Sequence, residues 1–106
     1  MRTPDLPRLE AFYVDVLGLK ELRRDDGRGS VWLDAGGTVL MLERAASGEP
    51  TVPEGSKELL AFAIDASERD AFRAKISISI EAETEHTLYF RDPDGRRVAV
   101  SSYVFR

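Results

Sequence analysis

The segment LYFRDPDGRRVAV, residues 88–100, contains two apolar and aromatic runs that flank a short polar turn. The Pro-Asp-Gly triplet at 93–95 is typical of a tight turn, because proline fixes its φ angle and glycine adopts positive φ without steric cost. Two such runs around one turn indicate a β-hairpin. We therefore predict neighbouring strands over residues 88–92 and 97–103, preceded by a short alternating strand over residues 78–83.

The same pattern occurs earlier in the chain, where an Ala-Gly-Gly turn separates two β-rich runs within residues 31–44. Met41 and Ala99 follow the aspartates that end their first strands at the same distance along the chain. We interpret the two hairpins as parts of an internal repeat, in which Met41 is equivalent to Ala99 and Trp32 to Phe90.

A helix is predicted before each set of strands. Apolar residues recur at helical spacing over residues 6–17, with Asp5 suited to the N-cap and Gly18 to the C-terminal stop. A buried strand over residues 59–65 precedes the second, shorter helix, which Ser67 begins. The sequence thus predicts an α+β fold of two related halves, of which the first lacks its opening strand.

The middle of the chain has a different composition. Residues 45–58 contain two glycines, two prolines and two serines with little periodicity, which indicates a connector. At 106 residues the chain has the length of one domain. We predict a single domain over residues 1–106, with module one at 1–44 and module two at 59–106.

Composition excludes several classes of function. The net charge of −4 gives no electrostatic reason to expect nucleic-acid binding, and it modestly favours cationic over anionic ligands. The chain has no cysteine and a single histidine, His86, which excludes thiolate and histidine-rich metal sites. No apolar run has the length of about 18 residues that a membrane span needs. We therefore predict a cytoplasmic protein without nucleic-acid or membrane partners.

Three stretches together resemble one family. PDLPRLEAFYVDVLGL (residues 4–19), LLAFAID (59–65) with its following helix, and residues 88–100 are similar to the vicinal oxygen chelate superfamily. That superfamily includes glyoxalase I, bleomycin-resistance proteins and extradiol dioxygenases. The resemblance implies paired βαβββ modules whose strands form a curved mixed sheet around a groove, with the helices outside.

The resemblance also implies where metal ligands would stand, one on each of four strands. Met41, Leu59 and Ala99 occupy three of these positions, and the fourth falls on the missing opening strand. Thioether and hydrocarbon side chains cannot replace imidazole and carboxylate ligands of a divalent cation. We therefore predict no metal, no cofactor and no catalytic residue.

Alternation along the strands places further residues on the groove side. The predicted ligand-binding residues are Trp32, Val39, Met41, Leu59, Ala61, Tyr89, Arg97 and Ala99. The opposite side is predicted as the core, formed by Leu40, Leu42, Leu60, Phe62, Ile64, Val98 and Val100. Trp32 and Tyr89 are candidates to stack on a planar ligand, with the alternative that Trp32 belongs to the core. Arg91 and Arg97 are candidates to hold an anionic group, with the alternative that they are surface charges lying over the sheet. The alternative is that the groove side is a filled second core, and the run at residues 23–26 is interpreted as a solvated strand end.

These observations predict a metal-free small-molecule-binding protein of the glyoxalase and bleomycin-resistance type, with drug sequestration as one such role. An apolar or planar organic compound is the expected ligand. The alternatives are a lyase, isomerase or dioxygenase with displaced ligands such as Glu43, Glu85 and His86, or a domain that only dimerises. A homodimer is predicted in any case, because a missing opening strand would leave an unpaired apolar strand edge.

Overall fold

The computed structural model describes residues 1–103, apart from the side chain of Ile78; the last three residues of the predicted module two lie outside this range. The chain divides into two compact units, Met1–Thr51 and Val52–Arg106, with the boundary inside the predicted connector. The single-domain assignment stays a prediction. No helix among the described residues is long and apolar enough to cross a membrane.

Both units have the same order of elements. The first contains β1 (Arg2–Thr3), α1 (Leu6–Ala11), β2 (Lys20–Asp25), β3 (Ser30–Asp34) and β4 (Val39–Arg44). The second contains β5 (Leu59–Ala63), α2 (Arg69–Ile76), β6 (Ala82–Glu83), β7 (Thr87–Arg91) and β8 (Arg97–Ser101).

The two mixed sheets have equivalent strand orders, β1-β4-β3-β2 and β5-β8-β7-β6. In each sheet the opening strand is parallel to the last strand and the other pairs are antiparallel. The α+β prediction with paired βαβββ modules is therefore confirmed.

The first helix forms as its sequence signals predict. The carboxylate of Asp5 accepts a hydrogen bond from the Arg8 amide at 3.2 Å, which satisfies one of the free donors of the first turn. The helix continues as a π-helical turn over Phe12–Val16 and ends at Gly18, whose φ of +73° suits glycine. Its apolar stripe is buried, with Leu9 and Tyr13 fully inaccessible.

One face of each sheet is buried. In the first unit this face carries Val31, Leu33 and Leu42; in the second it carries Leu88, Phe90, Val98 and Val100. Of the predicted core, Leu42, Val98 and Val100 are fully buried, whereas Leu40, Leu60, Phe62 and Ile64 retain partial exposure.

The prediction that the first module lacks its opening strand is wrong, because Arg2 and Thr3 form it. The Met1 carbonyl accepts from the Glu43 amide at 2.7 Å, and the Thr3 carbonyl accepts from the Ala45 amide at 2.7 Å. Thr3 is fully buried. Two residues are too few to show strand alternation, so long-range pairing with β4 defines this element and no local pattern reveals it.

A loop residue also secures the opening strand. The guanidinium of Arg2 donates to both carboxylate oxygens of Glu49, at 3.0 and 2.6 Å. This pairing, with the Ala46 amide as a further donor, lowers the pKa of Glu49 to about 2. The pair therefore stays ionised over the ordinary pH range.

The strand predicted over residues 78–83 is largely wrong. Residues 77–79 form a 3₁₀ turn that continues α2, and only Ala82–Glu83 pair with β7. The carboxylate of Glu83 is bound at 2.9 Å by Arg73 of α2. Helical backbone extends to Ser79, which leaves only a two-residue strand before the hairpin.

The predicted register of the repeat also needs correction. Trp32 pairs with Met41, and Tyr89 pairs with Ala99, so Tyr89 rather than Phe90 corresponds to Trp32. The second hairpin turn is longer by one residue. Its extra residue accommodates the buried carboxylate of Asp92, which accepts hydrogen bonds from amides within the turn.

Candidate functional site

The first unit has one sheet face that is not fully covered. Strand register places Arg23, Trp32 and Met41 in a row across β2, β3 and β4 on this face. The guanidinium carbon of Arg23 lies 5.1 Å from the Trp32 ring centroid, as in a cation–π contact. A cavity of about 380 Å³ opens here, lined by Arg23, Asp25, Arg28, Ser30, Trp32, Met41 and Glu43. We call this cavity the Trp32 pocket.

A break in the register of β2 explains why Arg23 reaches the pocket. The pairing with β3 shifts between Glu21 and Arg23, so Leu22 is the extra residue of a bulge and remains exposed. A bulge reverses the side of the sheet on which the following residues lie. Arg23 consequently joins Trp32 instead of pointing away from it.

The second unit carries the other predicted site residues on one face. Ala61, Ala99 and Tyr89 form a row across β5, β8 and β7, and Leu59 is next to Arg97 in register. We call this the Tyr89 face. The guanidinium carbon of Arg97 lies 4.4 Å from the Tyr89 ring centroid.

The arginine of the Tyr89 face already has an acidic neighbour. The Nε atom of Arg97 lies 3.4 Å from a carboxylate oxygen of Glu81, although without hydrogen-bond geometry. Glu81 also accepts from Arg91, whose Nη2 is 3.1 Å from Oε1. This hydrogen bond with Arg91 is the main cause that lowers the pKa of Glu81.

The predicted site residues differ in how much surface they offer. Val39 and Leu59 are about half exposed, at 54% and 46%, and Ala61 is also exposed. Trp32, Met41, Tyr89 and Arg97 are half-buried. Ala99 is fully buried, so it supports its neighbours without offering surface to a ligand. At this one position the alternative of a filled core describes the structure better than an open groove does.

A second cavity, of about 530 Å³, lies at the turn between β7 and β8. It is lined by connector and turn residues, Val52, Pro53, Glu54, Gly55, Arg91, Pro93, Asp94 and Gly95. None of the predicted site residues lines it. Arg91, its cation, is bound to Glu81 and to the carbonyls of Ser56 and Gly95.

Three of the four positions implied for metal ligands, Met41, Leu59 and Ala99, carry no nitrogen or oxygen ligand atom in their side chains. Met41 lies in the Trp32 pocket, whereas Leu59 and Ala99 lie on the Tyr89 face. Within residues 1–103 no three Asp, Glu or His side chains form a group that could hold a metal ion. His86 stands at the tip of the β6–β7 hairpin, its Nε2 atom 3.8 Å from the Glu85 carboxylate.

Comparison with known proteins identifies the family. A family model of the Glyoxalase/Bleomycin resistance protein/Dioxygenase superfamily matches residues 1–100. The chain belongs to this superfamily. No curated protein sequence matches significantly.

Solved structures of the superfamily share the fold. Lactoylglutathione lyase from Agrobacterium tumefaciens is 26% identical, with a TM-score of 0.71 over 95% of this chain and 87% of that one. A glyoxalase/dioxygenase from Nostoc punctiforme is 24% identical, with a TM-score of 0.78 over 94% and 84% of the two chains. The fosfomycin resistance protein FosX from Listeria monocytogenes is 16% identical, with a TM-score of 0.80 over 98% and 87%.

Sequence analysis missed four residues of the pocket, Arg23, Asp25, Arg28 and Ser30. The alternation on β3 that identifies Trp32 also places Ser30 on the same face. Arg23 gave no such signal, because its position depends on the bulge and its neighbours are charged.

Proposed function

We propose that the chain is a small-molecule-binding member of its superfamily and holds an apolar or planar organic ligand without a metal ion. The observation that supports this is the Trp32 pocket, where an aromatic ring, a thioether and a stacked guanidinium line one cavity. Of the predicted ligand-binding residues, Trp32 and Met41 line this pocket. The others stay predictions: Val39 in the first unit, and Leu59, Ala61, Tyr89, Arg97 and Ala99 in the second, where Ala99 is buried beneath its neighbours. A cytoplasmic location and the role in drug sequestration stay predictions.

The residue types in the pocket suit a planar ligand. Tryptophan offers a large, rigid surface with preferred stacking geometries, and the thioether of Met41 makes favourable contacts with aromatic rings. Charged groups of Arg23, Asp25 and Arg28 lie at the same cavity. The pocket thus combines an apolar contact surface, Trp32 and Met41, with a lining that is otherwise polar or charged.

Planar aromatic compounds are expected to change the fluorescence of Trp32, the only tryptophan in the chain. Met41→Glu should weaken this binding at least about tenfold, because it places a charge against the apolar ligand. Thr38→Glu adds the same charge in the exposed turn outside the pocket and is the matched control. Unchanged affinity in Met41→Glu, or a broad thermal-shift screen without any stabilising compound, would contradict the proposal.

An enzyme is the second candidate, and the similarity to lactoylglutathione lyase is the observation that favours it. The two candidates differ in their need for metal. We expect dialysed protein to carry no stoichiometric divalent ion, because Met41, Leu59 and Ala99 provide no nitrogen or oxygen ligand. Elemental analysis measures this. One equivalent of zinc, nickel, iron or manganese held with submicromolar affinity would favour the enzyme.

We also propose a homodimer. The opening strand is present, so only the part of the β4 edge that this strand leaves uncovered now supports a dimer. The opening strand covers β4 from Glu43 to Ala45, whereas Val39 at the other end of β4 is 54% exposed. Odd-numbered amides of β4 point to the outer edge, as the Glu43 bond to Met1 shows. A bare edge of this kind is commonly covered by another chain, and a symmetric pair satisfies both edges at once.

Sedimentation equilibrium at micromolar concentration should give twice the chain mass of 11.8 kDa. Val39→Pro should shift the equilibrium to monomer, because proline removes an outer-edge donor without breaking a bond to β3. Thr51→Pro, a substitution at an exposed loop position, is the control. A single 11.8 kDa species in the unmodified protein would contradict the dimer.

A further inference from the structure

Arg23 is a cation without an acidic partner among residues 1–103. It makes no hydrogen bond or ion pair there, and its identified contact is the ring of Trp32. The adjacent Arg24 has the opposite character, since it is bound by the carboxylates of Glu10 and Glu21. Arg24 therefore links β2 to α1, whereas the donors of Arg23 remain available in the pocket.

The other charges of the Trp32 pocket have partners. Arg28 lies 3.9 Å from the Asp25 carboxylate, and Glu43 lies 3.7 Å from the guanidinium of Arg2. The formal charges of the lining residues cancel, but Arg23 is the one charged side chain of the pocket that has no ion-pair partner among the described residues. The hydroxyl of Ser30 adds a donor that has no hydrogen-bond partner within the described range, although the residue is only 3% exposed.

We propose that the Trp32 pocket selects an organic anion, a planar apolar molecule that carries a carboxylate. This inference rests on the proposed function and names the ligand class of the same site. A guanidinium presents paired donors that match a carboxylate bidentately, and its plane can stack on an aromatic ring at the same time. Arg23 provides the paired donors, Trp32 the stacking surface and Met41 the apolar contact.

The proposed preference for anions is opposite to the preference that the negative net charge of the chain would predict. A charge of −4 spread over the surface is screened beyond about 8–10 Å at ordinary ionic strength, whereas a guanidinium in contact with the ligand is not. The unpaired guanidinium of Arg23 therefore decides selectivity, and the general preference for cations expected from composition does not apply inside this pocket.

The Tyr89 face is the internal comparison. It has the same stacked pair, Arg97 over Tyr89, but the Glu81 carboxylate lies 3.4 Å from Arg97. Glu81 is shared with Arg91, so it compensates the charge of Arg97 only in part. Arg23 differs from Arg97 in having no carboxylate within ion-pair distance among the described residues.

The test compares three probes of one shape, 2-naphthoate, 2-naphthamide and 2-naphthylmethylammonium, by calorimetry and by Trp32 fluorescence. We expect the anion to bind at least about tenfold more tightly than the neutral amide, as a charge-assisted hydrogen-bonded pair allows. Arg23→Gln should reduce this ratio to about one, mainly through loss of naphthoate affinity. Lys20→Gln, which removes the same charge from the far end of β2, should keep the ratio.

Arg23→Lys distinguishes paired donors from charge alone, and it should keep only part of the anion preference because lysine lacks the planar fork. Equal affinities of the naphthoate and the naphthamide, a preference for the ammonium, or a ratio that survives Arg23→Gln would overturn the anion assignment and leave the binding function intact. Failure of all three probes to bind the unmodified protein would count against both proposals.

Discussion

Replacing Phe90 with alanine is expected to lower the free energy of unfolding by about 3–5 kcal/mol. Phe90 is fully buried on β7, opposite Val98 and beside the row that Leu88 and Val100 form. Removal of the ring leaves a cavity that these short neighbours cannot fill. Because small domains are stable by only about 5–15 kcal/mol, the loss should be large in denaturant unfolding followed by circular dichroism.

Tyr89→Ala is the matched control, since it truncates an aromatic residue one position earlier on the same strand. Tyr89 is half-buried and makes its ring contact with Arg97, so its removal should cost only about 1–2 kcal/mol. If Phe90→Ala and Tyr89→Ala lowered the free energy of unfolding equally, the two faces of β7 would not differ in burial.

Much of the fold follows from local signals. The cap at Asp5 and the stop at Gly18 delimit the first helix because both act within a few residues of their own position. The hairpin around residues 93–95 is likewise a local property of proline and glycine. Such signals are independent of the rest of the chain, and the elements they predict are the ones the structure contains.

Elements that depend on distant contacts could not be predicted in the same way. The opening strand exists because Met1 and Thr3 meet β4 some forty positions later, and its two residues carry no pattern of their own. The segment predicted as a strand over residues 78–83 is divided between the end of the helical region and a short strand that pairs with β7. In both cases tertiary contacts override local preference.

The candidate site was predictable only where alternation is regular. Trp32 and Met41 share a face because neither β3 nor β4 is interrupted. Arg23 was assigned to a solvated strand end, since a bulge is invisible in an alternating pattern and shifts every later residue to the other side. The error at Phe90 has a similar cause, a turn one residue longer than its counterpart.

The second large effect is expected from a substitution in this longer turn, between β7 and β8. Asp92→Ala is expected to destabilise the protein by about 3–4 kcal/mol. The Asp92 carboxylate is buried and accepts from the amides of Asp94 at 2.9 Å and Arg96 at 3.0 Å. It also pairs with the Arg96 guanidinium at 3.2 Å. Alanine would leave two amides and a partly buried cation without this acceptor.

Asp34→Ala in the first hairpin is the control. It distinguishes the effect of losing a buried carboxylate from the effect of removing an aspartate from a hairpin turn. Asp34 is exposed and accepts a single bond, from the Gly36 amide at 3.0 Å, so its loss should cost about 0.5–1.5 kcal/mol. Hydrogen exchange at the Asp94 and Arg96 amides should accelerate in Asp92→Ala beyond what global destabilisation explains, because these donors lose their acceptor. Comparable losses in the two aspartate variants, with both amides still protected, would mean that Pro93 and Gly95 hold the turn by themselves. The register that places Tyr89 opposite Ala99 would then not depend on the buried carboxylate.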